Sequence, residues 1–299
     1  MKIGISIPNN WGVADPLSLI DLAVLADESG FASLWVAEHL INVSYVRARI
    51  GDRPYYHPLA MLSAIAARTS RISLGTSVLV LPFHNPFDLA KYAATLDQMS
   101  RGRLIMGIGV GNVEEEFRTL GASWERRGAL TNEVIDVLRA LWTQDAAQFD
   151  GPTWTFSDVH TSPKPYQGRR LPIWVGGMSK AARLRAVRVG EGWQPTAISP
   201  DELREQIHEL AELARAASRD PASIEVGMRF NIALDDMPVT QAESLSTIAG
   251  YDAGRVLEVA RMFEAVGVTH ITFALNGHDP QLLEATVRAM ATDILPHFR

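Results

Sequence analysis

Short apolar runs alternate along the whole chain with longer stretches whose apolar residues recur at helical spacing. The strand-length runs are Ile3–Ile7, Leu34–Ala37, Ile72–Leu79, Leu104–Val110, Ile173–Val175, Gly192–Thr196, Ile224–Leu234 and His270–Leu275. Between and after them the spacing predicts helices over Pro16–Ser29, Pro58–Thr69, Pro86–Met99, Arg126–Trp142, Ser179–Val189, Pro200–Ala217, Gly254–Val266 and Pro280–Leu295. Pro16, Pro58, Pro86 and Pro200 stand at helix starts, where the missing N–H costs nothing.

Eight β-then-α units with largely apolar strands indicate a parallel sheet covered by helices. Eight is also the number that closes a (β/α)8 TIM barrel. The expectation is therefore an α/β chain with a single barrel domain over residues 1–299. An open doubly wound sheet is the alternative arrangement of the same units. Three insertions account for the excess length. Leu40–His57 follows strand 2, and Asp145–Leu171 makes a hairpin-like excursion before strand 5. Asp235–Asp252 follows strand 7.

Composition narrows the chemistry. The chain has 299 residues and no cysteine, which excludes disulfides, thiolate metal sites and cysteine nucleophiles. Its net charge of −6 is interspersed, with no basic run, so nucleic acid is not an expected partner. No apolar run has the roughly 18 residues of a membrane span. Lys2–Ile7 reads as a strand rather than a signal peptide, and a cytoplasmic location is expected.

A barrel carries its site at the C-terminal ends of its strands. In this chain those ends are rich in glycine and hold one carboxylate–histidine pair, Glu38-His39. A histidine there can exchange a proton near neutral pH, and a carboxylate beside it can tune it. Adjacent strand residues point to opposite faces, so one of the pair is expected to face the pocket, and His39 is the choice. The competing role for His39 is structural. Gly176-Gly177-Met178-Ser179 reads as a strand–turn–helix start able to hold a phosphate, or as an ordinary tight turn with a serine cap. Gly109-Val110-Gly111-Asn112 lacks the third glycine of a dinucleotide fingerprint. His39, His57 and His84 have no compact ligand spacing, so no metal is expected. Trp11 and Trp193 lie near strand ends and are candidates for the pocket. Tyr45, Tyr55 and Tyr56 suggest aromatic lining. The run Glu114-Glu115-Glu116 reads as a solvated helix face.

Several segments together resemble the luciferase-like superfamily of flavin monooxygenases and coenzyme F420-dependent oxidoreductases. They include Leu34-Trp35-Val36 with Glu38-His39, Leu74-Gly75-Thr76-Ser77-Val78, and Leu81-Pro82-Phe83-His84-Asn85-Pro86. Leu96-Asp97-Gln98-Met99-Ser100-Arg101-Gly102-Arg103, Gly107-Ile108-Gly109-Val110-Gly111, Ile173-Trp174-Val175-Gly176-Gly177 and Gly190-Glu191-Gly192-Trp193 continue the match. The wording is most similar to the deazaflavin-dependent branch.

The resemblance implies coenzyme F420 as cofactor, with flavin mononucleotide as the alternative, and hydride transfer to or from a small organic molecule. It implies a cis peptide at Ser77–Val78 behind the cofactor ring. The cofactor tail is implied near Gly109, Val110, Gly111 and Asn112, and near Gly176, Gly177, Met178 and Ser179. It implies a homodimer formed through the second and third helices. His39 and Glu38 are the catalytic candidates. Sugar-phosphate dehydrogenases of this branch carry Glu where Asn112 stands, which argues against that substrate. Many relatives carry Arg where His84 stands and Trp where Asn112 stands. Two further readings remain: a flavin mononucleotide-dependent monooxygenase using oxygen, and a cofactor-binding barrel without turnover.

Overall fold

The structure is a computed structural model and describes residues 1–168, 171–196, 198–236 and 246–298. Among these, eight parallel strands form the barrel: β1 (Lys2–Ser6), β2 (Ser33–Val36), β3 (Ser73–Thr76), β4 (Leu104–Gly109), β5 (Ile173–Gly176), β6 (Gly192–Gln194), β7 (Glu225–Ala233) and β8 (His270–Asn276). Each pairs with the next, and β8 pairs with β1 in the register Lys2 with His270 through Ser6 with Ala274. The β6–β7 pairing completes the ring, so the sheet is closed and the open alternative is excluded.

Helices wrap the barrel, and polar caps fix where they start. Asp15 accepts from the Leu17 N–H ahead of the helix Pro16–Ser29, and Asn85 accepts from Phe87 N–H ahead of Pro86–Ser100. Ser199 and Glu202 form a capping box on Pro200–Ala216. Burying the inner face of each helix against the outward strand residues makes one continuous apolar shell, to which Ile5, Leu34, Leu74, Met106, Ile173 and Ile271 belong.

The inward positions near the N-terminal ends of the strands form a tightly filled floor. Trp35 and Trp174 lie with ring centroids 5.1 Å apart, and the His270 ring packs edge-on against both. Glycines make room for them. A Cβ on Gly192 or Gly227 would come within 2.5 Å of the Trp174 ring, and one on Gly75 would run into Trp35. Three of the floor's polar atoms are linked: the Trp35 indole N–H donates to Ser33 Oγ at 2.7 Å, and Ser33 Oγ lies 2.6 Å from His270 Nε2, while His270 Nδ1 is buried without a hydrogen-bond partner.

Two local differences from the sequence reading bear on the site. The insertion Leu40–His57, for which no helix was expected, contains one, Ser44–Ile50, that buries Val46 and Ile50. Strand 3 does not run unbroken to Leu79. It ends at Thr76, and Leu79–Val80 resumes as a separate strand against β4. The excursion before β5 is a hairpin as expected, with Ala147–Asp150 antiparallel to Thr155–Val159. Of the insertion Asp235–Asp252, residues 237–245 lie outside the described residues, and Thr247–Ala249 adds a parallel strand beside β7.

Candidate active site at the barrel mouth

A cavity of about 280 Å³ opens at the C-terminal ends of the strands. Its lining comes from the ends of β2 to β7 and from the Ser44–Ile50 segment. One wall is nearly bare. Val78 projects across the ends of β4 and β5, where a Cβ on Gly109 would lie 2.5 Å from its Cγ2 and one on Gly176 would lie 2.8 Å from its Cγ1. The peptide Ser77–Val78 is cis, at the position the resemblance implied. Gly111 makes a similar allowance for Phe117 and Val80 and has φ +80°. These glycines therefore admit side chains. Their first reading, as places where a phosphate meets bare backbone, omitted those neighbours.

Beside it the lining is polar. Gln194 is buried, and its Oε1 accepts from Ser77 Oγ at 2.8 Å. Its Nε2 is buried in the pocket lining without a hydrogen-bond partner. A buried unpaired amide N–H costs about 1–3 kcal/mol, so a ligand acceptor at this point recovers that cost. Thr196 and Arg229 lie on the same side, and Arg49 stacks 4.5 Å over the ring of buried Trp11. Trp193 serves the turn after β5, its indole N–H donating to Gly177 O at 2.8 Å.

Glu38 and His39 both line the pocket, contrary to the expectation of strand alternation. The reason is local: β2 ends at Val36, and alternation lapses beyond it. The two side chains nevertheless have different surroundings. Glu38 is 4% exposed, and its Oε2 accepts from the Val80 N–H at 2.7 Å. His84 Nε2 lies 3.0 Å from Glu38 Oε1. Glu38 thus anchors the segment that carries Val78. His39 Nδ1 lies 2.7 Å from Glu116 Oε2, and Nε2 lies 2.8 Å from the Tyr45 hydroxyl. Rings of Tyr45 and Tyr55 pack edge-on against the imidazole. Burial pushes the Tyr55 phenol well above its usual range, with the fields of Tyr45 and Glu38 acting the same way and Arg229 opposing them. Tyr55 therefore stays a neutral phenol.

Of the twelve candidate residues, Glu38, His39, Ser77, Val78, Gly109, Val110, Gly111, Asn112, Gly176 and Gly177 line this cavity. Met178 and Ser179 are not part of that lining. Met178 Sδ lies 3.4 Å from Thr196 N, and exposed Ser179 caps the helix Lys180–Val189. Tyr45 and Tyr55 line the pocket, whereas the Tyr56 hydroxyl donates to the carbonyls of Val13 and Ala14. His57 is exposed at the start of the helix Pro58–Arg68, away from the partners of His39 and His84. Among the described residues no group of three or more His, Asp or Glu is arranged to hold a metal ion.

Glu116 is the residue the sequence reading missed. Glu114 and Glu115 are exposed as a solvated face should be, but Glu116 is 1% exposed. The signal was the spacing Val113, Glu116, Phe117, which puts the carboxylate on the buried face of Glu114–Leu120.

The family model described as luciferase-like monooxygenase matches residues 1–278. An F420-dependent glucose-6-phosphate dehydrogenase of Amycolatopsis mediterranei is 27% identical, over 95% of this chain and 95% of that protein. Two solved structures superpose with a TM-score of 0.81 over the whole chain. One is the monooxygenase RslO1 from Streptomyces bottropensis, at 22% identity and 100% of its chain. The other is an F420-dependent secondary alcohol dehydrogenase in complex with an F420–acetone adduct, at 20% identity and 99% of its chain. At such identities the superpositions speak for the fold.

Proposed function

The chain belongs to the luciferase-like monooxygenase family, and from that premise we propose that it is an oxidoreductase using coenzyme F420 and a small organic substrate. The observation that carries this reading is the pairing of two unlike walls. An apolar face, made by Val78 over Gly109 and Gly176, lines the same cavity as a histidine held by a buried carboxylate. The residues present suit a deazaflavin: the face accepts a planar ring, and the unpaired Gln194 Nε2 offers a donor to a ring carbonyl. When bound, the coenzyme supplies a ring carbon that gives or takes a hydride.

The chain's own residues bind, orient and move protons. Val78 and the glycines beside it fix the plane in which a ring can lie. The cavity-lining turns Gly109–Asn112 and Gly176-Gly177 receive the cofactor tail. Glu38 holds the Leu79–Val80 segment that supports Val78. His39 exchanges the proton that must accompany hydride transfer, and its fixed ring converts a diffusional encounter into an oriented one. Asn112 stands where sugar-phosphate dehydrogenases of this branch carry a carboxylate, so glucose 6-phosphate is not carried over as substrate. No described helix is long and apolar enough to cross a membrane. Following the resemblance, the proposed assembly is a homodimer through the helices Pro58–Arg68 and Pro86–Ser100, which light scattering tests.

Titrating the protein separately with coenzyme F420 and flavin mononucleotide, followed by cofactor fluorescence, tests the assignment. Saturable quenching of F420 is expected, then F420 reduction with one member of a panel of alcohols. Binding of flavin mononucleotide alone would favour the monooxygenase. F420 binding with no turnover across alcohols, or with reduced coenzyme across ketones, would favour a cofactor-binding barrel.

A further inference from the structure

Tyr55 is half-buried and lines the cavity, and its hydroxyl is buried without a hydrogen-bond partner. Its ring packs edge-on against His39, with centroids 5.9 Å apart. The groups whose fields act on this hydroxyl are Tyr45, Glu38, Arg229 and Glu116, and the first three line the same cavity. The hydroxyl therefore sits at the inner corner of the mouth, beside His39. The backbone around it is braced. Asn9 is fully buried, and its Nδ2 donates to the carbonyls of Ala37 and Tyr56, both at 2.8 Å. Asn9 Oδ1 accepts from the Ala37 N–H at 2.9 Å, and its carbonyl accepts from the Tyr56 N–H at 2.8 Å. One asparagine thus ties the residue after Tyr55 to the residue before Glu38.

We infer that the Tyr55 hydroxyl is the hydrogen-bond donor to the substrate's oxygen, and that this oxygen belongs to an alcohol or ketone uncharged around its reacting carbon. This rests on the redox reading of the pocket given above. A phenol O–H buried without a partner has given up the bond it made in water, and a ligand oxygen restores it. Bracing through Asn9 leaves little chain to order when that ligand arrives. Burial, with the fields of Tyr45, Glu38 and Glu116, keeps the proton on the phenol. Tyr55 therefore orients and polarises the oxygen, while proton exchange stays with His39. The same surroundings choose the ligand's charge. At this hydroxyl the carboxylates of Glu38 and Glu116 oppose the single guanidinium of Arg229. A carboxylate or phosphate placed here meets repulsion, whereas a carbonyl or alcohol oxygen does not.

Tyr55→Phe removes the one oxygen and keeps the ring on His39. Without cofactor its melting temperature should match or exceed that of wild type, because no internal hydrogen bond is lost. A fall of about 4 °C or more would reveal an internal partner and overturn the inference. In protein labelled with carbon-13 at tyrosine Cζ, the variant identifies the Tyr55 signal among six tyrosines. With oxidised F420 present, butanone or cyclohexanone forms a complex that cannot react and should shift that signal, whereas pyruvate should not. On the alcohol that reduces F420 fastest, Tyr55→Phe should lose about tenfold or more in kcat/KM with F420 affinity within about twofold. A kcat/KM within about twofold of wild type overturns the inference, as does a signal that moves with pyruvate and not with the ketones. If the ketones shift the signal while no alcohol is turned over, the anchor stands and the redox reading fails. If alcohols are turned over while the signal stays still, the anchor fails and the redox reading survives. A still signal without turnover removes both.

Discussion

The floor and the mouth of this barrel are built by the same strands, a few residues apart, and they obey opposite rules. On β2 the inward side chain at the floor is Trp35, while His39 follows at the mouth. On β5 it is Trp174 and then Gly176. Glycine serves both levels. At the floor Gly75, Gly192 and Gly227 yield space to two tryptophans, leaving a filled core. At the mouth Gly109 and Gly176 yield space to Val78, and the result is a wall beside an open cavity. Polar groups are treated alike at both levels: the floor links its indole, hydroxyl and imidazole Nε2 but leaves His270 Nδ1 buried and unpaired, and the mouth leaves the Gln194 amide N–H unpaired. The lesson is that glycine content marks close approach, and the neighbour decides whether the outcome is a core or a site.

The sharpest break should come from Gly107→Ala. Its Cβ would run into the carbonyl oxygen of Thr76, a backbone atom that cannot rotate away. Loss of soluble folded protein by circular dichroism is expected, and a normal melting profile would show that the floor tolerates more than its packing implies. His39→Ala should do the reverse: fold and F420 binding retained, with turnover down about 10²–10⁴-fold, the usual share of a general acid–base. Gly109→Ala lies between. Val78 must move, and overpacking of this kind costs about 1–3 kcal/mol, read mainly as a tenfold or larger fall in F420 affinity.

At neutral pH the smallest effect is that of titrating the floor, and it grows only as pH falls. Burial lowers the His270 pKa to about 3, and the charge of Lys2 acts in the same direction. The unfolded chain then binds more protons than the folded one between about pH 6.5 and 3. Stability from His270 is thus complete above about pH 6.5 and is lost as pH falls toward 3, with a slope approaching 1.4 kcal/mol per pH unit. Denaturant midpoints at pH 7, 5.5 and 4.5 measure it, and His270→Gln should flatten the dependence.

Not every segment that resembles the family serves the site. Ser100-Arg101-Gly102-Arg103 sits at the opposite end of the barrel. There Arg103 donates to the carbonyls of Ala66, Thr69, Ile72 and Ser100 and ties the ends of two helices to β3. Leu81 to Pro86 is nearer the mouth, and through His84 it supports Glu38. A match along the chain therefore mixes scaffold with chemistry, and only the contacts separate them.

The alternation of strand and helix patterns and the count of eight follow from periodicity, which is a property of neighbouring residues. The absence of cysteine chemistry follows from composition. The glycine-rich strand ends and His39 were visible for the same local reason. The sequence could not show that Glu116 turns inward to meet a histidine 77 positions earlier, or that Gln194 and Ser77 meet across the pocket. Nor could it show that Val78 fills the space two distant glycines leave. Those facts depend on which residues closure of the barrel brings within hydrogen-bond and van der Waals reach. Such distances are set by the ring as a whole, which only the tertiary structure decides.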